Sequence, residues 1–111
     1  MARVDHSAGQ AQMKVTDAGR GHLVVKISGE LDIVSASYLD DQIAAFLGRP
    51  ADRVDLDLSE LEFMDSSGIA VLLRISNQFG PLQVRGAKPL VRRVVEVTGL
   101  TAILRLDADV P

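Results

Sequence analysis

The stretch Asp57-Leu58-Ser59-Glu60-Leu61-Glu62-Phe63-Met64-Asp65-Ser66-Ser67-Gly68 gathers carboxylates and hydroxyls where a strand gives way to a helix. Asp65 stands at the expected N-cap, and Ser66 and Ser67 fall in the first turn with their hydroxyls outward. A helix start leaves about four N–H groups without intrahelical partners and carries roughly half a positive charge. It therefore accepts a carboxylate at the cap, and equally a phosphate on a first-turn serine. Gly68 lets something approach the backbone closely at this point. Local chemistry leaves two readings open. Asp and Ser are good caps in their own right, worth about 1 kcal/mol, and the same residues also suit a phosphorylation switch.

Other chemistries fail on spacing. A nucleophile elbow needs glycine two residues before the serine, but Asp65 precedes Ser67 and Met64 precedes Ser66 at that distance. His6 and His22 lie in the lead-in and at the start of a hairpin, and read as solvated side chains. Gly80 to Lys88 has Ala87 where a phosphate loop needs glycine before its lysine. Asp55 and Asp57 alternate with Val54, Leu56 and Leu58, and Glu60 occupies the position where a calcium loop needs glycine, so they are strand carboxylates. A phospho-receiver needs a longer βα series than this chain offers: only one helix separates Glu30 and Asp32 from Asp57. No constellation of metal ligands is present, and no catalytic residue is assigned.

The elements that must position the serine pair follow from periodicity. Met13–Thr16 and Leu23–Ile27 read as strands joined by the Gly-rich turn Asp17–Gly21, an antiparallel hairpin. From Ser35 the period becomes helical through Ala36, Leu39, Ile43, Phe46 and Leu47, ending near Gly48 and Pro50. Val54–Leu58 alternates strictly as a strand, and Ser59–Met64 reads as a short loop. A second helix opens near Asp65 and stops after Phe79 at Gly80-Pro81. Leu82–Arg85 is another strand, and a third helix has Pro89 near its first position and Gly99 just past its end. Ala102–Leu106 is either a last short strand or the end of a small helix. The order ββαβαβα predicts an α/β domain with parallel neighbours and one antiparallel edge. Its sheet should hold four or five strands, with Leu23–Ile27, Val54–Leu58 and Leu82–Arg85 inside. In the second helix Ile69, Val71, Leu72, Leu73, Ile75 and Phe79 span an arc of about 200°, wider than the stripe of about 100° that packing on one sheet requires. A neighbouring helix covers the surplus, or a protein partner does; Ile69, Leu72 and Leu73 are the residues expected at such an interface.

Composition bounds the remaining possibilities. The 111 residues fit one domain, residues 1–111, with residues 1–10 a ragged lead-in. With 12 Lys+Arg against 15 Asp+Glu the net charge is −3, and Arg92-Arg93 is the only basic pair, which argues against a nucleic-acid surface. The absence of Cys excludes disulfides and thiolate metal sites and suits a reducing cytoplasm. Met1 to Gln12 lacks the apolar run of a signal peptide, and no apolar run reaches about 18 residues, so no membrane span is expected.

Gly29-Glu30-Leu31-Asp32, Asp57-Leu58-Ser59, Phe63-Met64-Asp65-Ser66-Ser67-Gly68 and Val97-Thr98-Gly99-Leu100, in that order and spacing, resemble the STAS domains of bacterial anti-sigma factor antagonists. The resemblance runs from about Met13 to Leu106. It implies a mixed sheet with helices packed mainly on one side. It further implies a cytoplasmic, non-enzymatic regulator that binds an anti-sigma factor with serine-kinase activity and so releases a sigma factor. Ser67 would be the phosphoacceptor, supported by Asp65, Ser66, Gly68 and Asp32. Phosphorylation would dissociate the complex, and a serine phosphatase would restore the active form. ATP and Mg would belong to the partner kinase, leaving this chain without a cofactor. The main alternative is a non-phosphorylated STAS-type structural subunit of a transport or signalling complex, a role that has no need of the Ser67 hydroxyl.

Overall fold

The computed structural model describes residues 11–107; the expected lead-in, 1–10, lies outside them. Strands β1 (Gln12–Gly19) and β2 (His22–Leu31) form the expected antiparallel hairpin, with Gly19 opposite His22. The two linking residues, Arg20 and Gly21, both have positive φ (58° and 75°), the pairing that a tight two-residue hairpin needs. A Cβ at Gly21 would stand 2.4 Å from the Asp52 carboxylate, a side-chain end that can swing away, so the positive φ is what calls for glycine there.

Helix α1 (Ile33–Leu47) leads to β3 (Arg53–Asp57) and β4 (Leu61–Met64), α2 (Ser66–Phe79) to β5 (Leu82–Arg85), and α3 (Pro89–Val97) to β6 (Leu104–Leu106). β2, β3, β5 and β6 lie side by side in parallel, with β1 on the outside, so the three expected inner strands are inner. The chain steps across this sheet in one direction only. Right-handed crossovers that advance one way place every helix on the same face. The buried residues of α1, α2 and α3 accordingly join one core with Leu23, Val25, Ile27, Leu56 and Val84. The opposite face carries the alternate residues, among them Lys26, Asp55, Gln83 and Arg85.

Two details differ from the sequence expectation, and one open alternative is decided. Ser59–Met64 is not all loop: β4 pairs in parallel with the distal end of β2, Gly29 opposite Leu61 and Leu31 opposite Met64. The sheet thus has six strands instead of four or five, although β4 lies on the same flank of β2 as β3, displaced along it. β3 pairs β2 from His22 to Lys26 and β4 resumes from Gly29, with the Gly29 N–H donating to the Glu60 carbonyl at 3.0 Å. Helix α1 begins at Ile33, two residues before the expected Ser35, because Asp32 caps it. Ala102–Leu106 resolves into a turn followed by β6.

Candidate functional site

Each strand that ends at the site hands over to a helix through an aspartate. β4 ends at Met64; Asp65 follows with extended backbone (φ −111°, ψ −165°), and its Oδ1 accepts the Ser67 N–H at 2.8 Å. β2 ends at Leu31; Asp32 follows in the same conformation, and its Oδ1 accepts the Ser35 N–H at 2.9 Å. That bond, chiefly, holds the Asp32 carboxyl below the usual carboxylate range. Because Leu31 and Met64 are register partners, and the Asp65 N–H donates to the Leu31 carbonyl at 3.3 Å, the two caps stand side by side. The structure therefore brings Asp32 beside Asp65, with the first turns of two parallel-running helices starting together.

Ser66 is exposed and Ser67 half-buried in the first turn of α2. Among the described residues neither hydroxyl has a hydrogen-bond partner. Gly68 is buried, and what approaches it closely is the chain itself: a Cβ would lie 2.3 Å from Met64 Cγ and 2.9 Å from the Leu31 carbonyl oxygen. It lets α2 sit down on the ends of β2 and β4, and offers no external approach.

The expected partner-contacting residues need correction. Leu72 is fully buried and Ile69 is 7% exposed, while Leu73 is half-buried against the core. The wide apolar arc of α2 is covered from within, partly by α1, whose Phe46 ring lies 5.0 Å from that of Phe79. The exposed apolar residues at this end of the molecule are others. Ile33 is 71% exposed, Val34 57% and Tyr38 58%, all in the first two turns of α1; Phe63 on β4 and Leu90 on α3 are also exposed. A Lys88–Glu62 ion pair ties the start of α3 to β4. Sequence reasoning missed Ile33 and Val34 by starting the helix at Ser35; the signal was the Asp32-x-x-Ser35 spacing of a capped first turn.

Asp55 is a second, separate polar cluster on the helix-free face. Its side chain is fully buried and accepts from Arg53 Nε and Nη2, both at 3.1 Å, and pairs with Arg85 Nη2 at 2.6 Å and His22 Nε2 at 3.1 Å. Burial pushes its carboxyl up, but the bonds from Arg53 and His22 and the Arg85 and Arg53 charges prevail and hold it below the ordinary range. His22 is thus a ligand of a structural carboxylate and not simply solvated. Among the described residues no group of three or more His, Asp or Glu is placed to hold a metal, and no helix is long and apolar enough to cross a membrane.

Comparison with known proteins agrees with this fold. The family model described as "Mlab, STAS domain" matches residues 15–106, and the chain belongs to the STAS-domain family. An anti-sigma F factor antagonist from Paenibacillus polymyxa is 36% identical over 90 residues, covering 77% of each chain. The anti-sigma-F factor antagonist RsfB of Mycobacterium tuberculosis is 30% identical over 91 residues, covering 78% of this chain and 73% of its own. The crystal structure of an anti-sigma factor antagonist from Mycobacterium paratuberculosis superposes with a TM-score of 0.78 at 30% identity, over 92% of this chain and 89% of the other. These relatives are named as regulatory antagonists and not as enzymes, as the resemblance implied.

Proposed function

We propose that this chain is an anti-sigma factor antagonist controlled by phosphorylation of Ser67. In the unphosphorylated form it binds an anti-sigma factor that is also a serine kinase, and a sigma factor is released. The observation that carries the reading is the Asp65-capped first turn of α2. It offers an unpartnered Ser67 hydroxyl at an end of the molecule that also exposes Ile33, Val34, Tyr38, Phe63 and Leu90. Both serines lie in that turn, so the choice of Ser67 over Ser66 rests on the family resemblance.

The switch is local electrostatics. A phosphate adds about 1.5 to 2 negative charges and three acceptor oxygens, which a helix start tolerates. Asp32 and Asp65 already make the site acidic. An interface fitted to a neutral hydroxyl would then enclose a poorly paired dianion, at a cost of several kcal/mol. Taking a complex from 99:1 to 1:99 needs about 5.5 kcal/mol. The nucleotide and metal for the transfer come with the kinase, and a serine phosphatase reverses it.

The test mixes each variant with the purified cognate anti-sigma kinase and ATP, and follows mass gain and complex retention. Ser67→Ala should take up no phosphate and stay bound. Ser67→Glu should weaken binding less completely than phosphate, since it supplies one charge on a longer stem. Phosphate on the Ser67→Ala chain would move the acceptor elsewhere. An unmodified wild type beside an active kinase would favour the second reading, a non-phosphorylated STAS-type structural subunit of a transport or signalling complex.

A further inference from the structure

The stretch from residue 27 to residue 48 contains Glu30, Asp32, Asp40 and Asp41 and not one Lys or Arg. Within it Ile33, Val34, Ser37 and Tyr38 line an open hollow of about 450 Å³ on the outer side of α1. Three large apolar side chains more than half exposed on two consecutive helical turns are unusual for a helix whose buried stripe is already complete through Ser35, Leu39, Ile43 and Phe46. Among the described residues, one cation reaches α1 from α2: Arg74, held by Asp40 at 3.4 Å. The hollow is thus apolar, and the helix that carries it bears Asp40 and Asp41 but no Lys or Arg. It lies beside the serine turn, because Ile33 and Ser66 are the first residues of helices launched from paired strand ends.

We propose that this hollow is an anchor site for the anti-sigma partner, filled by an apolar side chain on a segment flanked by Lys or Arg. The charge of α1 selects that occupant: an acidic segment would be repelled, and a second copy of this chain would set Asp41 against its own kind. The inference rests on the antagonist reading above and divides its interface in two. The first turn of α2 reports the phosphate. The first two turns of α1 hold the partner whatever the state of Ser67. Phosphorylation therefore removes only the first contribution, and the α1 contact sets which anti-sigma factor is recognised.

The experiment is titration calorimetry of the full chain with the purified cognate anti-sigma factor, using wild type, Ile33→Lys, Tyr38→Ala, Ser67→Glu and the double variant Ile33→Lys/Ser67→Glu. All the altered residues are exposed or half-buried, and thermal melts check that the fold is kept. Ile33→Lys and Tyr38→Ala should each weaken binding about tenfold or more, as loss of a buried apolar anchor does. Ile33→Lys should still weaken the Ser67→Glu form, by a smaller factor than it weakens wild type, because the two positions adjoin and the introduced charges attract each other. Raising the salt should weaken wild type further, as charge complementarity requires. Unchanged affinity in both α1 variants, with Ser67→Glu still weakening, would overturn the anchor and leave the antagonist reading standing. A wild-type chain that fails to bind the anti-sigma factor would overturn both.

Discussion

A methyl group at Gly68 would meet Leu31 and Met64 together, and the Leu31 carbonyl cannot give way because it already accepts the Asp65 N–H. Alanine is the better helix former by about 1 kcal/mol, so propensity and sterics oppose each other here. Overpacking of this kind costs about 1–3 kcal/mol, more when backbone is the obstacle. Gly68→Ala should therefore lower the urea midpoint despite its helical position, and a raised midpoint would refute the packing. Gly80→Ala supplies the contrast. A Cβ there meets nothing within 4 Å, so only its backbone resists: φ 83° with ψ −169° is a region essentially reserved for glycine, at about 1–3 kcal/mol. The glycine was legible in the sequence as a site of close approach. What approaches it was not, because that depends on β4 delivering Met64 next to Leu31.

At the scale of elements, the twin caps do more than end two loops. Asp65→Ala should cost about 1 kcal/mol of stability, read as a lower melting temperature, and loosen the turn that presents Ser67. At Asp32 the carboxyl lies below its ordinary range when folded. Its contribution is present above the unfolded value and fades as pH falls through the folded one. The helices were readable because caps, stops and apolar stripes are local: Pro89, Gly99 and the Gly80-Pro81 stop all fall where expected. β4 was not, since Leu61–Met64 runs buried, exposed, exposed, buried, and has no alternation of period two to read. The apolar arc of α2 was correctly seen as too wide for one sheet. What covers it could not be read from α2 alone, because the answer is partly α1, an element launched from β2 more than thirty residues upstream.

For the molecule as a whole, one-way progress across the sheet leaves a helix-free face, and burying Asp55 there makes stability pH-dependent. The folded carboxyl lies below its unfolded value of about 3.9. Its stabilising share is therefore complete above that value and is lost as pH falls through the folded one. His22, Arg53 and Arg85 are the cationic or titrating groups that face it. Asp55→Asn should cost about 2 kcal/mol near neutral pH, below the full range for a broken buried pair because both arginines are half exposed. It should also flatten the acid limb of stability; urea midpoints taken from neutrality down to about pH 3 would check this. Equal acid sensitivity in the variant would assign that limb to other carboxylates. A last consequence lies in β2, which pairs with β1 along one side and with β3 and then β4 along the other. The turn that carries Ser67 follows β4, which pairs with the distal end of this same strand, and the Asp65 N–H donates to the Leu31 carbonyl, so the turn is anchored to the strand that joins the sheet. Under the proposed switch, a signal would pass through this protein without a folding step of its own, at the tempo of the enzymes that add and remove the phosphate.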